Sequence, residues 1–230
     1  MDLTPAQLAR MMDLSAVRTD IDLDEIRCLA ETSKQYGCIC AFAMPCYVPE
    51  LVRLLDDAPE VGVGGVVGFP SGAHSTASKV SEAREQLDQG VVELDMVLNV
   101  GMLQSGCDDW VETDIRAVVD AVRPTPVKVI IEAHYLTADQ IVRASRLAVR
   151  AGAAFVKTGT GWAPTGATLE NVRLIKSAIG DAAQVKAAGG VRDFQTVVEM
   201  IRAGVTRFGV SLTSGRNILD ECAAANTERT

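Results

Sequence analysis

Asp95, Lys128, Lys157 and Lys186 each stand inside or at the end of an apolar run of strand length. A charge in such a place is costly unless it is paired or neutralised. The chain has 16 arginines and only six lysines, and three of those lysines occupy such runs. Lysine can lose its proton when buried and arginine effectively cannot, so the preference for lysine points to chemistry. On neighbouring strands ~4.8 Å apart, inward-pointing Lys157 and Lys186 disfavour each other's charge, and burial adds to the effect. A free amine beside an ammonium and a carboxylate suits Schiff-base chemistry. The amine adds to a carbonyl, water leaves, and the iminium draws electrons out of a C–C bond. One of the two lysines is then the nucleophile and the other the neighbouring cation, with Asp95 the best-placed proton carrier. Lys128 joins the group. Asn99, expected on the Asp95 face of one strand, would hydrogen-bond a hydroxyl or orient water. Asp13 and Glu132 are expected to hold the lysines' positions and charges. The competing reading makes all three lysines structural ion-pair partners of Asp13, Glu93, Asp95 and Glu132.

A second constellation follows these runs. Thr158-Gly159-Thr160-Gly161 comes after Lys157, Gly189-Gly190 after Lys186, and Gly209-Val210-Ser211 closes the last apolar run. Glycine lets backbone N–H groups approach an anion. Thr160, Gly161, Gly189, Gly190, Gly209 and Ser211 are therefore the expected phosphate-binding positions, with Arg192 adding charge. Both constellations together imply a small phosphorylated aldehyde or sugar as substrate. Trp162 reads either as a pocket wall or as packing, His74 as a helix-start residue, and His134 as a strand-end loop residue.

These side chains need a scaffold that brings several strand ends together. Apolar runs at Met11–Leu14, Cys38–Met44, Gly62–Phe69, Val91–Val100, Val127–Glu132, Ala153–Lys157, Gln184–Ala187 and Arg207–Val210 alternate with helix-period segments. The helices are expected at Asp22–Tyr36, Val48–Asp57, Ser75–Gln89, Asp108–Arg123, Thr137–Arg150, Thr168–Ile179, Asp193–Ala203 and Ser214–Ala224, after a short N-terminal helix at Leu3–Met12. The strands are apolar throughout, as in parallel sheets covered by helices. No Gly-x-Gly-x-x-Gly follows the first strand, which argues against a dinucleotide fold. An α/β architecture follows, a single (β/α)8 TIM barrel over residues 1–230. Its chemistry belongs at the C-terminal strand ends, with phosphate beyond strands seven and eight.

Composition narrows the function further. Net charge is −8 with no basic block, which argues against a nucleic-acid partner. No apolar run approaches the ~20 residues of a membrane span, and Met1–Arg10 has no signal-peptide pattern; a cytoplasmic protein is expected. Cys28, Cys38, Cys40, Cys46, Cys107 and Cys222 suggest no disulfide framework. With only two histidines no zinc site is expected, and buried thiols are, Cys38 and Cys40 sharing a strand face.

The same segments carry a family resemblance. Val66-Val67-Gly68-Phe69-Pro70, Glu93-Leu94-Asp95-Met96-Val97-Leu98-Asn99-Val100-Gly101, Lys128-Val129-Ile130-Ile131-Glu132, Phe155-Val156-Lys157-Thr158-Gly159-Thr160-Gly161 and Val185-Lys186-Ala187-Ala188-Gly189-Gly190-Val191-Arg192 occur in order and at fitting spacing. The chain resembles the deoxyribose-phosphate aldolases, class I aldolases on a (β/α)8 barrel. The resemblance implies Lys157 as the Schiff-base lysine, Lys186 as the lysine lowering its pKa, Asp95 as the proton-transfer acid and Lys128 as a further site lysine. It implies phosphate-loop roles for Gly161, Gly189, Gly190, Gly209 and Ser211. It also implies reversible cleavage of 2-deoxy-D-ribose 5-phosphate to D-glyceraldehyde 3-phosphate and acetaldehyde, no metal or cofactor, and a homo-oligomer, a dimer. The open alternatives are the same mechanism on another aldehyde or ketone pair, and a non-catalytic phosphometabolite-binding barrel. The chain departs from the family pattern at several positions. Gly159 stands where serine is usual, Leu212 where a phosphate-loop hydroxyl is usual, and Phe42-Ala43-Met44-Pro45 where Cys-Val-Asn-Pro is frequent. Asp13-Leu14-Ser15 replaces Asp-His-Thr, and the tail lacks the terminal tyrosine of some members.

Overall fold

Continuous apolar runs with no polar face can be buried only by neighbours on both sides, and the strands meet that demand by closing on themselves. A computed structural model describes residues 3–227; the C-terminal tail named above lies largely outside the described residues. The elements in order are α1 Pro5–Ala9, β1 Met12–Ala16, α2 Leu23–Tyr36, β2 Cys40–Ala43, α3 Val48–Leu54, β3 Gly62–Val67, α4 Thr76–Asp88, β4 Glu93–Val97 and α5 Val100–Gln104. They continue as α6 Asp108–Ala121, β5 Val127–Ile130, α7 Ala138–Arg150, β6 Phe155–Lys157, α8 Leu169–Ile179, β7 Gln184–Ala188, α9 Phe194–Arg202, β8 Val205–Ser211 and α10 Leu212–Thr227. The strands form a closed barrel in sequence order, every pair parallel, with β8 returning to β1.

The helix starts follow from capping chemistry. Asp22, Ser75, Thr137, Thr168 and Asp193 each accept the backbone N–H three residues on, satisfying a donor that the first helical turn leaves without a partner. Asn99 does the same for Met102, 3.0 Å away. That bond corrects the expected fourth strand, which ends at Val97 rather than Val100. Asn99 therefore leaves the Asp95 face and caps the unexpected helix α5. The fifth strand also ends early, at Ile130, and Glu132 turns out of it at φ 50°.

Two cores result. The larger, aliphatic one lies between barrel and helices. The smaller lies inside the barrel and comprises Cys40, Phe42, Val66, Phe69, Val97 and Ile130. Cys38 packs in the outer core and Cys40 in the inner one, so the two thiols do not share a face. Nor are all the thiols buried, since Cys46 and Cys107 are exposed and Cys28 half-buried. Lys79 is a further interior lysine, on the helix side of the wall. It bonds Asp114 of α6 at 2.7 Å and the Val97 carbonyl at 3.0 Å, tying α4 and α6 to the end of β4.

Phe42 fills the inner core because Gly64 leaves it room. A Cβ on Gly64 would lie 2.3 Å from the Phe42 ring. Gly64→Ala is therefore expected to cost about 1–3 kcal/mol, roughly 2–10 °C in thermal midpoint for a chain of this size. Adding Phe42→Leu should recover part of that loss. A Gly64→Ala midpoint equal to wild type would show that the contact does not constrain the barrel.

Candidate active site

Register decides which side chains meet. Lys157 of β6 and Lys186 of β7 are paired partners, so both point the same way. Asp95 of β4 is paired with Lys128 of β5, one layer lower. Strand tilt brings inward side chains of alternate strands to a common level, and Asp95 reaches Lys157 across β5. Asp95 Oδ2 accepts from Lys157 Nζ at 2.7 Å and from Lys186 Nζ at 2.6 Å. Its other oxygen, Oδ1, accepts no hydrogen bond, and the nearest cation to it is Lys128 at 3.5 Å. Lys186 also meets Asp13 of β1 at 2.6 Å.

Below this level, Lys128 is paired to Glu93, with Asp13 at 3.7 Å. A residue that sequence reasoning overlooked completes the group. Arg207 of β8 donates to Asp13 at 2.7 Å and to both oxygens of Glu93 at 3.1 and 3.2 Å. Its signal was the one that marked the lysines, a charge inside an apolar strand. Asp13, Glu93 and Cys40 are close enough to hold a metal, but Lys128 and Arg207 already supply the cations between the two acids.

The charges shift one another. Burial raises the Asp95 carboxyl, but Lys157, Lys186 and Lys128 outweigh it and hold it far below the usual carboxylate range. Asp13 is lowered in the same way, with Lys186, Lys128 and Arg207 overcoming burial. Lys128 moves up, its three acids exceeding the cost of burial. Lys157 moves down, to about 8. Burial is the largest cause; Asp95 opposes it and Lys186 reinforces it. The structure thus brings together Asp95, Lys157, Lys186, Lys128 and Asp13. Lys157, Lys186 and Asp95 face the pocket, whereas Lys128 lies beneath it.

The pocket holds about 220 Å³ at the C-terminal ends of the strands. Gly161, Gly189, Gly190, Arg192, Gly209 and Ser211 all line it. Gly209 has a second task, because a Cβ there would come within 3.0 Å of the Lys186 chain. Thr160 lines the pocket too, but its N–H and hydroxyl both donate to Glu132. It braces the loop and has no donor left for an anion. Glu132 therefore holds this loop and not the lysines. Gly159 explains the arrangement: a Cβ there would lie 2.8 Å from Glu132 Oε1. Among residues not expected, Ser214 lines the same end and its backbone N–H and hydroxyl both lie within bonding reach of Ser211 Oγ.

The opposite wall is apolar. Trp162 closes it, its Nε1 donating to the Val17 carbonyl at 2.9 Å and its ring edge-on to Phe69. Arg18 stands at the mouth, bound to Asp20 and Glu25. His134 bonds Thr165 at 2.6 Å outside the pocket lining, and His74 is exposed just before the cap of α4.

Residues 8–221 match the family model for the DeoC/LacD family of aldolases. The chain is 46% identical over 222 residues to a deoxyribose-phosphate aldolase of Sinorhizobium medicae, covering 96% of this chain and 90% of that relative. It is 44% identical over 223 residues to the deoxyribose-phosphate aldolase of Klebsiella pneumoniae, covering 96% and 90%. Its fold is similar to the tetrameric deoxyribose phosphate aldolase structure from Aeropyrum pernix, with a TM-score of 0.87 and 27% identity over 94% of this chain and 91% of that one.

Acylation at graded pH, read by peptide mapping, checks the electrostatics. The Lys157 amine is free above about pH 8 and ammonium below it, so its modification rate should rise through that value. Lys186→Leu removes a cation and should move the midpoint to higher pH. An unmoved midpoint would take Lys186 out of this role.

Proposed function

The chain belongs to the DeoC/LacD family of aldolases, and on that premise we propose that it cleaves 2-deoxy-D-ribose 5-phosphate reversibly through a Schiff base on Lys157. It is a carbon–carbon lyase. The observation that carries the mechanism is the double contact on Asp95 Oδ2, because it leaves Lys157 held in place yet poised to be neutral. A neutral amine still donates one N–H to Asp95 and keeps its lone pair for the carbonyl.

The Lys157 nitrogen attacks the C1 aldehyde of the open-chain sugar, forming a C–N bond as the carbonyl π pair moves to oxygen. That oxygen gains two protons, one shed by the Lys157 nitrogen and one from Lys186 as the adjacent acid, and leaves as water to give the iminium. Removal of the proton on the C3 hydroxyl then drives cleavage of the C2–C3 bond. Its electron pair flows into the iminium, D-glyceraldehyde 3-phosphate departs, and an enamine of acetaldehyde stays on Lys157. Protonation at C2 and hydrolysis of the iminium release acetaldehyde and the amine. Asp95 Oδ1, with no donor of its own, is the acceptor through which these protons pass. The iminium itself is the electron sink, so the proposed chemistry calls for no metal and no organic cofactor.

The substrate's phosphate is assigned to the loops of Gly161, Gly189, Gly190 and Ser211, with Arg192 at the rim. Leu212 lacks the hydroxyl usual in the family, and Ser214 supports the assignment by offering one from the same first turn of α10. Homo-oligomer assembly, as a dimer, is part of the same proposal; the Aeropyrum pernix relative is described as a tetramer, and sedimentation of the purified chain distinguishes these states. A cytoplasmic location and a catabolic role in deoxyribonucleotide breakdown accord with the reading. No helix among the described residues is long and apolar enough to cross a membrane.

Borohydride with acetaldehyde is expected to trap a covalent adduct on Lys157, and Lys157→Ala should lose cleavage by roughly 10³-fold or more. An adduct elsewhere would sink the mechanism. Ser214→Ala should raise KM for the phosphorylated sugar by up to about tenfold, with kcat and the reaction of unphosphorylated deoxyribose little changed. Equal cleavage of the two sugars by wild type would count against the phosphate site and favour another aldehyde pair.

A further inference from the structure

The ion pairs inside the barrel do not balance. Four cations, Lys128, Lys157, Lys186 and Arg207, share three carboxylates, Asp13, Glu93 and Asp95. All but Glu93 are nearly fully buried, and Glu93 is only 15% exposed at its side chain. One unit of positive charge is therefore in excess in a low-dielectric interior, where uncompensated charge is costly. Shedding one proton removes the excess. Arginine cannot shed it, so a lysine must.

Geometry selects the lysine. Lys128 has Glu93 as a direct partner and two further acids within 3.7 Å. Lys186 has two carboxylates at 2.6 Å. Lys157 has one acid, on an oxygen it shares with Lys186. The other walls bring no further carboxylate into contact with it: Asp13 of β1 also lines the pocket and favours its charge from a distance, but its oxygens are taken by Lys186 and Arg207. β2 and β3 present Phe42, Cys40 and Val66; Glu132 beyond β5 is turned to Thr160; Arg18 and Arg192 at the mouth are cations.

We propose that Arg207 is a positioning residue that fixes the neutral state of Lys157 from beneath the pocket, two strands away on β8. It acts by occupying Asp13 and Glu93 with a charge that cannot be discharged. The relay runs from Arg207 to Asp13, from Asp13 to Lys186, and from Lys186 through Asp95 to Lys157. Arg207 touches no substrate, for it lies beneath the pocket and does not line it. Without it, three cations face three carboxylates and Lys157 can keep its proton. The inference rests on the reading of Lys157 as the Schiff-base nucleophile.

The test is the pH dependence of acetaldehyde adduct formation at Lys157, trapped by borohydride, in wild type and four variants shown by thermal melting to be folded. Arg207→Met should move the rising limb up by about one pH unit, roughly a tenfold loss of trapping at pH 7. Arg207→Lys keeps a cation and should leave the limb near its wild-type position. Glu93→Gln removes a negative charge and should move the limb down. Arg207→Met with Glu93→Gln restores the balance and should return the limb. A merely structural role would lower the rate without moving the limb, and an unmoved limb in Arg207→Met would overturn the proposal. If that single variant does not fold, an unmoved limb in Glu93→Gln overturns it equally. Absence of any adduct on wild-type Lys157 would instead refute the Schiff-base reading.

Discussion

A carboxylate oxygen 2.7 and 2.6 Å from two lysine nitrogens, with almost no access to water, is the contact on which the site depends. Without Asp95, Lys157 would stand unpaired in the wall of the barrel and Lys186 would have Asp13 as its remaining partner. With it, each amine has a carboxylate partner, and burial weighs chiefly on Lys157, the one with fewer acids. Attraction to Asp95 holds Lys157 in position, while repulsion and burial weaken its hold on a proton. A lysine cannot serve as a nucleophile on positioning alone, since an ammonium has no lone pair to offer.

The barrel accommodates this charge by dividing its interior. One side is filled by Phe42, Val66, Val97 and Ile130, and the other by the ion pairs. Phe42 sits at the boundary. Its ring lies 4.2 Å from Lys186 Nζ and 4.7 Å from Lys128 Nζ, so it presents a π-face to two cations where a purely aliphatic side chain would only exclude water. Gly64 and Gly209 have no side chains where Phe42 and Lys186 must pass. The departure from the family pattern at Phe42 is thus part of a packing arrangement and not an isolated exchange. The same holds at Gly159, whose missing Cβ admits the Glu132 carboxylate that braces the loop.

Much of this was legible in the sequence, and for identifiable reasons. The barrel could be read because its strands are apolar on both faces and its helices begin at residues that cap them. The candidate nucleophile could be read because a lysine in an apolar run is expensive wherever it occurs. Asn99 was misread because strand alternation was extended through Leu98, when the asparagine's own side chain ends the strand by capping α5. Thr160 was misread because a hydroxyl in a glycine loop resembles an anion donor until its partner, Glu132, is located. Ser214 escaped notice because it lies in a helix, in the first turn beyond the loop.

The sequence by itself determined the architecture, the family resemblance and the three residues Asp95, Lys157 and Lys186 as a chemical group. Those conclusions depend on residue type and on local periodicity, which a chain carries with it. Tertiary structure alone decided which acid pairs with which base, that Arg207 closes the network from β8, and that Lys157 is the lysine left with the least compensation. The reason is that pairing across a closed barrel is set by strand register and tilt between segments up to 194 positions apart. Nothing in the local sequence of β1 or β8 specifies that Asp13 and Arg207 will meet.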